Sequence, residues 1–216
     1  QGISLSEKIG DKDINTDLLY FASVIYQRLD KNDMAIEYGL EALRLSEEIN
    51  DNTTIGASCH RLGIAHYDKG EIIKARNYLE RSLQVRLKLK NKYSIAASNN
   101  ALGLTYIKED SKIANDYFLQ ALELWKSIND NEGIAIASGN IGDVYLINKD
   151  SINALKYFML SYDAAKKEDI YVFLSNTSFS LSEIYRGFGN SDSAYKYLTE
   201  YSITNDSLFN IESNRA

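Results

Sequence analysis

Between Ile113 and Trp125 the apolar positions Ile113, Ala114, Tyr117, Phe118, Ala121, Leu122 and Trp125 follow an i, i+3, i+4, i+7 spacing, which predicts one buried stripe on an amphipathic helix. The pattern recurs. Shifting the sequence on itself by about 40 residues brings like residues into register five times. A first predicted helix in each unit carries Ala22 to Tyr26, Leu62 to His66, Leu102 to Tyr106, Ile141 to Tyr145 and Leu181 to Tyr185. Eight or nine residues after each Tyr or His comes Ala35, Ala75, Ala114, Ala154 or Ala194, and seven residues later Ala42, Ser82, Ala121, Ser161 or Tyr201.

Short polar breakers separate the predicted helices within each unit: residues 30–33, 68–71, 109–111, 148–151 and 187–192. Residues 50–53, 90–92, 129–131 and 167–169 separate one unit from the next. Each breaker offers a helix stop and an oxygen to cap the following helix. The register predicts repeats over 13–50, 51–90, 91–129, 130–169 and 170–205. Ile3 to Ile9 aligns with Leu43 to Ile49, so residues 1–12 read as the end of an earlier repeat's second helix. Residues 206–216 read as the start of a following helix, and the chain is therefore expected to be a piece of a longer protein.

Gly63, Gly103 and Gly142 fall in helix interiors, where glycine costs about 1 kcal/mol relative to alanine. Close approach of the second helix of the same hairpin is the expected compensation, with Ala75, Ala114 and Ala154 opposite. The Tyr or His one turn later is expected to fill the gap between neighbouring repeats. This order of large apolar, small, aromatic, Ala, aromatic or Leu, Ala resembles the tetratricopeptide repeat over nearly the whole chain. The resemblance implies an all-α fold, an α-solenoid in which antiparallel helix hairpins stack into a right-handed superhelix. Three features depart from the family pattern. The period is 39 to 40 residues rather than 34; Leu19, Cys59, Asn99, Ser138 and Ser178 stand at the tryptophan-like position; and the proline after the second helix is missing everywhere. The long-repeat branch, as in kinesin light chains and bacterial peptide-sensing regulators, looks similar.

Composition agrees with an all-helical reading. The 216 residues contain no proline, where about eleven are expected at ordinary usage, and 16 tyrosines. A net charge of −6 argues against a nucleic-acid partner, and no apolar run is long enough for a membrane span. One Cys and two His cannot build a Cys/His zinc site, so no metal or other cofactor is expected. Cys59 and His66 lie roughly 10 Å apart along a helix, too far for a thiol–imidazole pair, and read as packing residues. No phosphate-binding glycine loop or paired-acid arrangement is present, so the fragment reads as non-catalytic. The second helix of repeat two is basic, with Lys74, Arg76, Arg81, Arg86, Lys88, Lys90 and Lys92. It reads as a solvated outer face whose long stems cover apolar surface, with an acidic partner as the alternative.

The family resemblance implies that first helices line a concave surface. Carried onto this sequence, the groove positions include Tyr20, Gln27, His60, Tyr67, Asn100, Lys108, Asp143, Phe179, Glu183 and Arg186. Their mixture of aromatic, amide and charged groups suits an extended peptide or protein segment. Residues 197–212 resemble the end of the repeat array in bacterial sensor histidine kinases and related regulators. That resemblance implies a sensory input region outside the cytoplasmic membrane, joined to an output domain in the same chain. The alternative is a cytoplasmic scaffold or adaptor without a signalling output; self-association is open in either case.

Overall fold

The computed structural model describes residues 12–213, and every element among them is an α-helix. Ten follow in order: α1 (Lys12–Arg28), α2 (Asn32–Glu48), α3 (Asn52–Asp68), α4 (Ile72–Leu89), α5 (Lys92–Tyr106), α6 (Ser111–Ser127), α7 (Asn131–Ile147), α8 (Ser151–Lys167), α9 (Tyr171–Gly187) and α10 (Ser191–Ser213). Two compact units divide after Thr105, one residue before the end of α5. In the first unit α1 packs on α2, α2 on α3 and α3 on α4, and α1 also reaches α3. In the second, each of α6 to α9 packs on the next, and α7 also reaches α9. Consecutive hairpins whose first helices touch are the arrangement of an α-solenoid.

The sequence register explains the packing. Ala35, Ala75, Ala114 and Ala154 are buried, as are Ala42, Ser82, Ala121 and Ser161 one helical stretch later. The serines of that second row are satisfied alike in both units: Ser82 Oγ donates to Gly56 O and Ser161 Oγ to Ala135 O, each at 2.7 Å. Leu19, Cys59, Asn99, Ser138 and Ser178 are all buried too. In the fifth hairpin Ala194 is only half-buried.

Two expectations change. Larger side chains, more than the alanines, need the glycines: a Cβ on Gly63 would stand 2.5 Å from Leu79 Cγ and 3.2 Å from Ala75 O, and one on Gly142 would stand 2.9 Å from the Phe158 ring. The close approach does come from the second helix of the same hairpin, but the demanding side chain lies four residues beyond the alanine. The Tyr or His landmark also finds a ring partner within its own hairpin. Tyr26 stacks on Tyr38, His66 on Tyr78, Tyr106 on Tyr117, Tyr145 on Tyr157 and Tyr185 on Tyr197, with centroids 5.2 to 5.8 Å apart. One helix faces the other through a ring pair because a large side chain twelve or eleven residues on occupies the facing turn.

The end of the array also differs. α10 passes through Asn205 without a break, where the sequence reading places the start of a separate helix. Neither glycine nor proline interrupts it, and Thr204 is buried with its hydroxyl on the carbonyls of Glu200 and Tyr201. Residues 1–11, read from the sequence as part of an earlier repeat's helix, lie outside the described residues.

Candidate functional site

The groove positions fall on α1, α3 and α5 in the first unit, and on α7, α9 and the turn after α5 in the second. Tyr20, Gln27, His60, Tyr67 and Asn100 are all partly exposed, which leaves each able to touch a ligand while anchored in its helix. Tyr20 packs beside the core of Leu19, Ala42 and Leu45, with its ring edge-on to Phe21. Gln27 Nε2 reaches Asp68 Oδ2 at 3.4 Å, joining the ends of α1 and α3. His60 is partly exposed as a residue, but its Nδ1 is buried without a hydrogen-bond partner. Burial, then the positive charges of Arg86 and Arg61, holds that imidazole well below its ordinary range.

In the second unit Lys108 and Asp143 are exposed. Asp143 is nonetheless crowded by protein, which raises its carboxyl above the ordinary range, and no cation offsets that effect. Phe179 is 48% exposed, and its ring leans on Tyr201 at 5.3 Å. Glu183 and Arg186 form an ion pair one turn apart. Together with Ser182, Ser191, Ala194, Tyr195 and Leu198 they line a shallow pocket of about 270 Å³. Tyr195 and Leu198, both exposed, are not among the sequence-derived positions because they lie on a second helix.

The chemistry-bearing residues rejected as catalytic are occupied by packing. Cys59 is fully buried among Leu43, Ile55 and Leu62, and burial pushes its thiol up to about 11. His66 Nδ1 lies 2.8 Å from Glu71 Oε2 beneath its stacked partner Tyr78.

The basic stretch keeps the expected exposed face at Lys74, Arg81, Lys88, Lys90 and Lys92 and departs from it at Arg86. Arg81 pairs with Glu47, Lys74 with Glu71, and Arg76 donates to the Thr105 carbonyl and hydroxyl. Arg86 is buried at 9% exposure and donates through one Nη to Ser94 O and Ser98 Oγ, both at 2.9 Å. Charge count alone does not separate a buried arginine from a solvated one. The signal that does is register, since Arg86 falls at the position of Ser46, Trp125 and Ala165, all buried.

With this geometry in view, known proteins supply a frame. No curated protein matches the chain in sequence. Among solved structures, BtubC (BKLC) from P. vanneervenii superposes with a TM-score of 0.81 at 16% identity, over 96% of this chain and 88% of that one. The Rap conjugation gene regulator of plasmid pLS20, solved in complex with the Phr* peptide, gives 0.76 at 19%, over 94% of this chain and 56% of that one. The apo form of the quorum sensor NprR from B. thuringiensis gives 0.72 at 13%, over 94% and 58%. At these identities the likeness is one of fold. The sequence model of the tetratricopeptide repeat matches residues 14–88 and 55–127, together more than half of the chain. The chain belongs to the tetratricopeptide repeat family.

Proposed function

We propose that this chain is a non-catalytic module that binds a peptide or protein segment along the exposed rows of its first helices. The observation that carries this reading is the row itself. Tyr20, Gln27, His60, Tyr67 and Asn100 in one unit, and Asp143 and Phe179 in the other, keep mixed aromatic, amide and acidic groups accessible. Rings offer apolar pockets, and amides and charges hold a peptide backbone or its termini. The Rap regulator solved with Phr* is a protein of like fold that holds a peptide, which supports the same use here.

In the fuller form of the proposal the module is the sensory or regulatory input of a larger bacterial signal-transduction protein, with α10 leading toward an output domain. The length of α10 favours this: it spans 23 residues against 17 for α2, α6 and α8. Replacing Tyr20 and Tyr67 by alanine is expected to remove peptide binding in isothermal titration while the thermal melt shifts by only a few degrees. Undiminished binding would move the site off the first helices. For the signalling context, the test is the full-length gene: a membrane helix and an output domain following this region support it, and a chain without an output domain overturns it.

A further inference from the structure

Arg86 and Trp125 stand at the same register position on α4 and α6, and the fold treats them differently. Trp125 lies flat on α7, where Gly133 carries no Cβ and one would stand 2.3 Å from the indole. Arg86 lies against Gly56 of α3 and α5's Ser94 and Ser98. A buried guanidinium ordinarily finds a carboxylate, but none reaches Arg86 among the described residues. Its two partners are a carbonyl and a hydroxyl, which are dipoles and do not neutralise its charge. Arg61, one residue after His60, likewise has no ion pair there. Glu47, which acts on the Cys59 thiol together with Arg86, is itself held by Arg81. The buried Nδ1 of His60 lacks a partner. Tyr20 and Tyr93 act on Arg86 electrostatically, as does Arg61.

We propose that Arg86, Arg61 and His60 form an oxyanion-binding site in the first unit, fed by α1, α3, α4 and α5, that takes a carboxylate or phosphate group carried by the ligand. Among the described residues neither the buried Arg86 nor the partly buried Arg61 has an acid partner, so an anion carried by the ligand would offset their charge. Guanidinium N–H groups and an imidazole N–H are the donors that carboxylate and phosphate accept best. Burial holds the Arg86 guanidinium down to about 10, and a bound anion reverses that by favouring the charged form. Only the identity of the carrier rests on the peptide-binding reading. The site itself can be tested without a peptide.

The test is a titration of the ¹⁵N-labelled chain with sodium phosphate, sodium acetate and, at matched ionic strength, sodium chloride, following the Nε–Hε signals of Arg86 and Arg61. Saturable shifts with phosphate or acetate and none with chloride are expected. Phosphate alone identifies a phosphoryl ligand, and acetate a carboxylate. Arg61→Ala should weaken the response on the order of tenfold. The paired change Arg86→Trp with Ser94→Gly, which copies the Trp125–Gly133 packing, should abolish the Arg61 response while keeping the fold. Equal responses to all three salts, or full affinity in Arg61→Ala, overturn the proposal even if Arg86 variants fail to fold. Loss of the anion response with peptide binding intact removes this site and leaves the peptide reading standing. Peptide binding lost with the anion response intact does the opposite.

Discussion

Individual residues bear most of the specificity of this fold, and the close approaches at glycine are the sharpest examples. The Leu79 side chain stands where a Cβ on Gly63 would be, and the Phe158 ring does the same at Gly142. Gly63→Ala is therefore expected to destabilise the chain by about 1–3 kcal/mol in chemical denaturation, despite alanine's better helix propensity. An unchanged or raised midpoint would mean that Leu79 moves aside at no cost. These contacts were half legible in sequence. A repeated glycine inside a helix signals close approach, but the partner is set by side-chain direction, which points back toward the preceding turn. Spacing therefore led to the alanine instead of Leu79 or Phe158. The tyrosine surplus is similar. One row, Tyr26, Tyr106, Tyr145 and Tyr185, stood out by its place in the repeat. The facing row, Tyr38, Tyr78, Tyr117, Tyr157 and Tyr197, was equally regular and becomes meaningful only once the two helices face each other.

At the scale of helices and turns, the absence of proline acquires a mechanism. Most turns reverse through one residue of positive φ, Asp30, Asn50, Asn129, Lys149 or Asp169, or through Gly70 or Gly189. The next residue's N–H then closes on the carbonyl five residues back: Lys31 on Tyr26, Asp51 on Ser46, Glu71 on His66, Asp130 on Trp125, Asp150 on Tyr145, Ile170 on Ala165 and Asn190 on Tyr185, at 2.9 to 3.0 Å. Proline at these positions has no N–H to give. Asp51, Asp130 and Asp150 of these also cap the next helix, as does Asp110, each accepting from backbone N–H groups as the polar breakers predict. Asp110→Ala, which removes acceptors for Lys112 N and Ile113 N, should cost about 1 kcal/mol in a denaturation midpoint. For Asp150, hydrogen bonds from the Asn153 side chain and backbone lower the carboxyl below its ordinary 3.8. The stability it contributes is present above that value and lost as pH falls toward the lower folded value. Asp150→Asn should accordingly flatten the acid side of the stability curve below about pH 4; an unchanged profile would show that the cap titrates normally.

For the molecule as a whole, helical class, hairpin order and family were legible because each repeat restates the same few constraints, so that errors at one position are corrected by four others. The groove was legible only as a set of positions. Exposure depends on neighbours, and ion pairs such as Glu183 with Arg186 alter what a charged position can offer. The burial of Arg86 is legible only through the repeat register, since its residue type alone reads as solvated. If the chain serves as an input module, light scattering across a concentration series should report a monomer; a stable oligomer would favour the scaffold alternative. Peptide recognition by the first helices is tested most directly by isothermal titration with peptides selected from a random-peptide library. The chain would be compared with Tyr20→Ala/Tyr67→Ala in the first unit, Asp143→Asn/Phe179→Ala in the second, and Ile73→Ala/Ile152→Ala on exposed positions of second helices. Recognition along the first helices predicts that at least one of the first two variants loses on the order of tenfold or more in affinity, with melts preserved, while the third binds as the parent does. Peptides that bind all three variants like the parent, or a library that yields no binder, would contradict it.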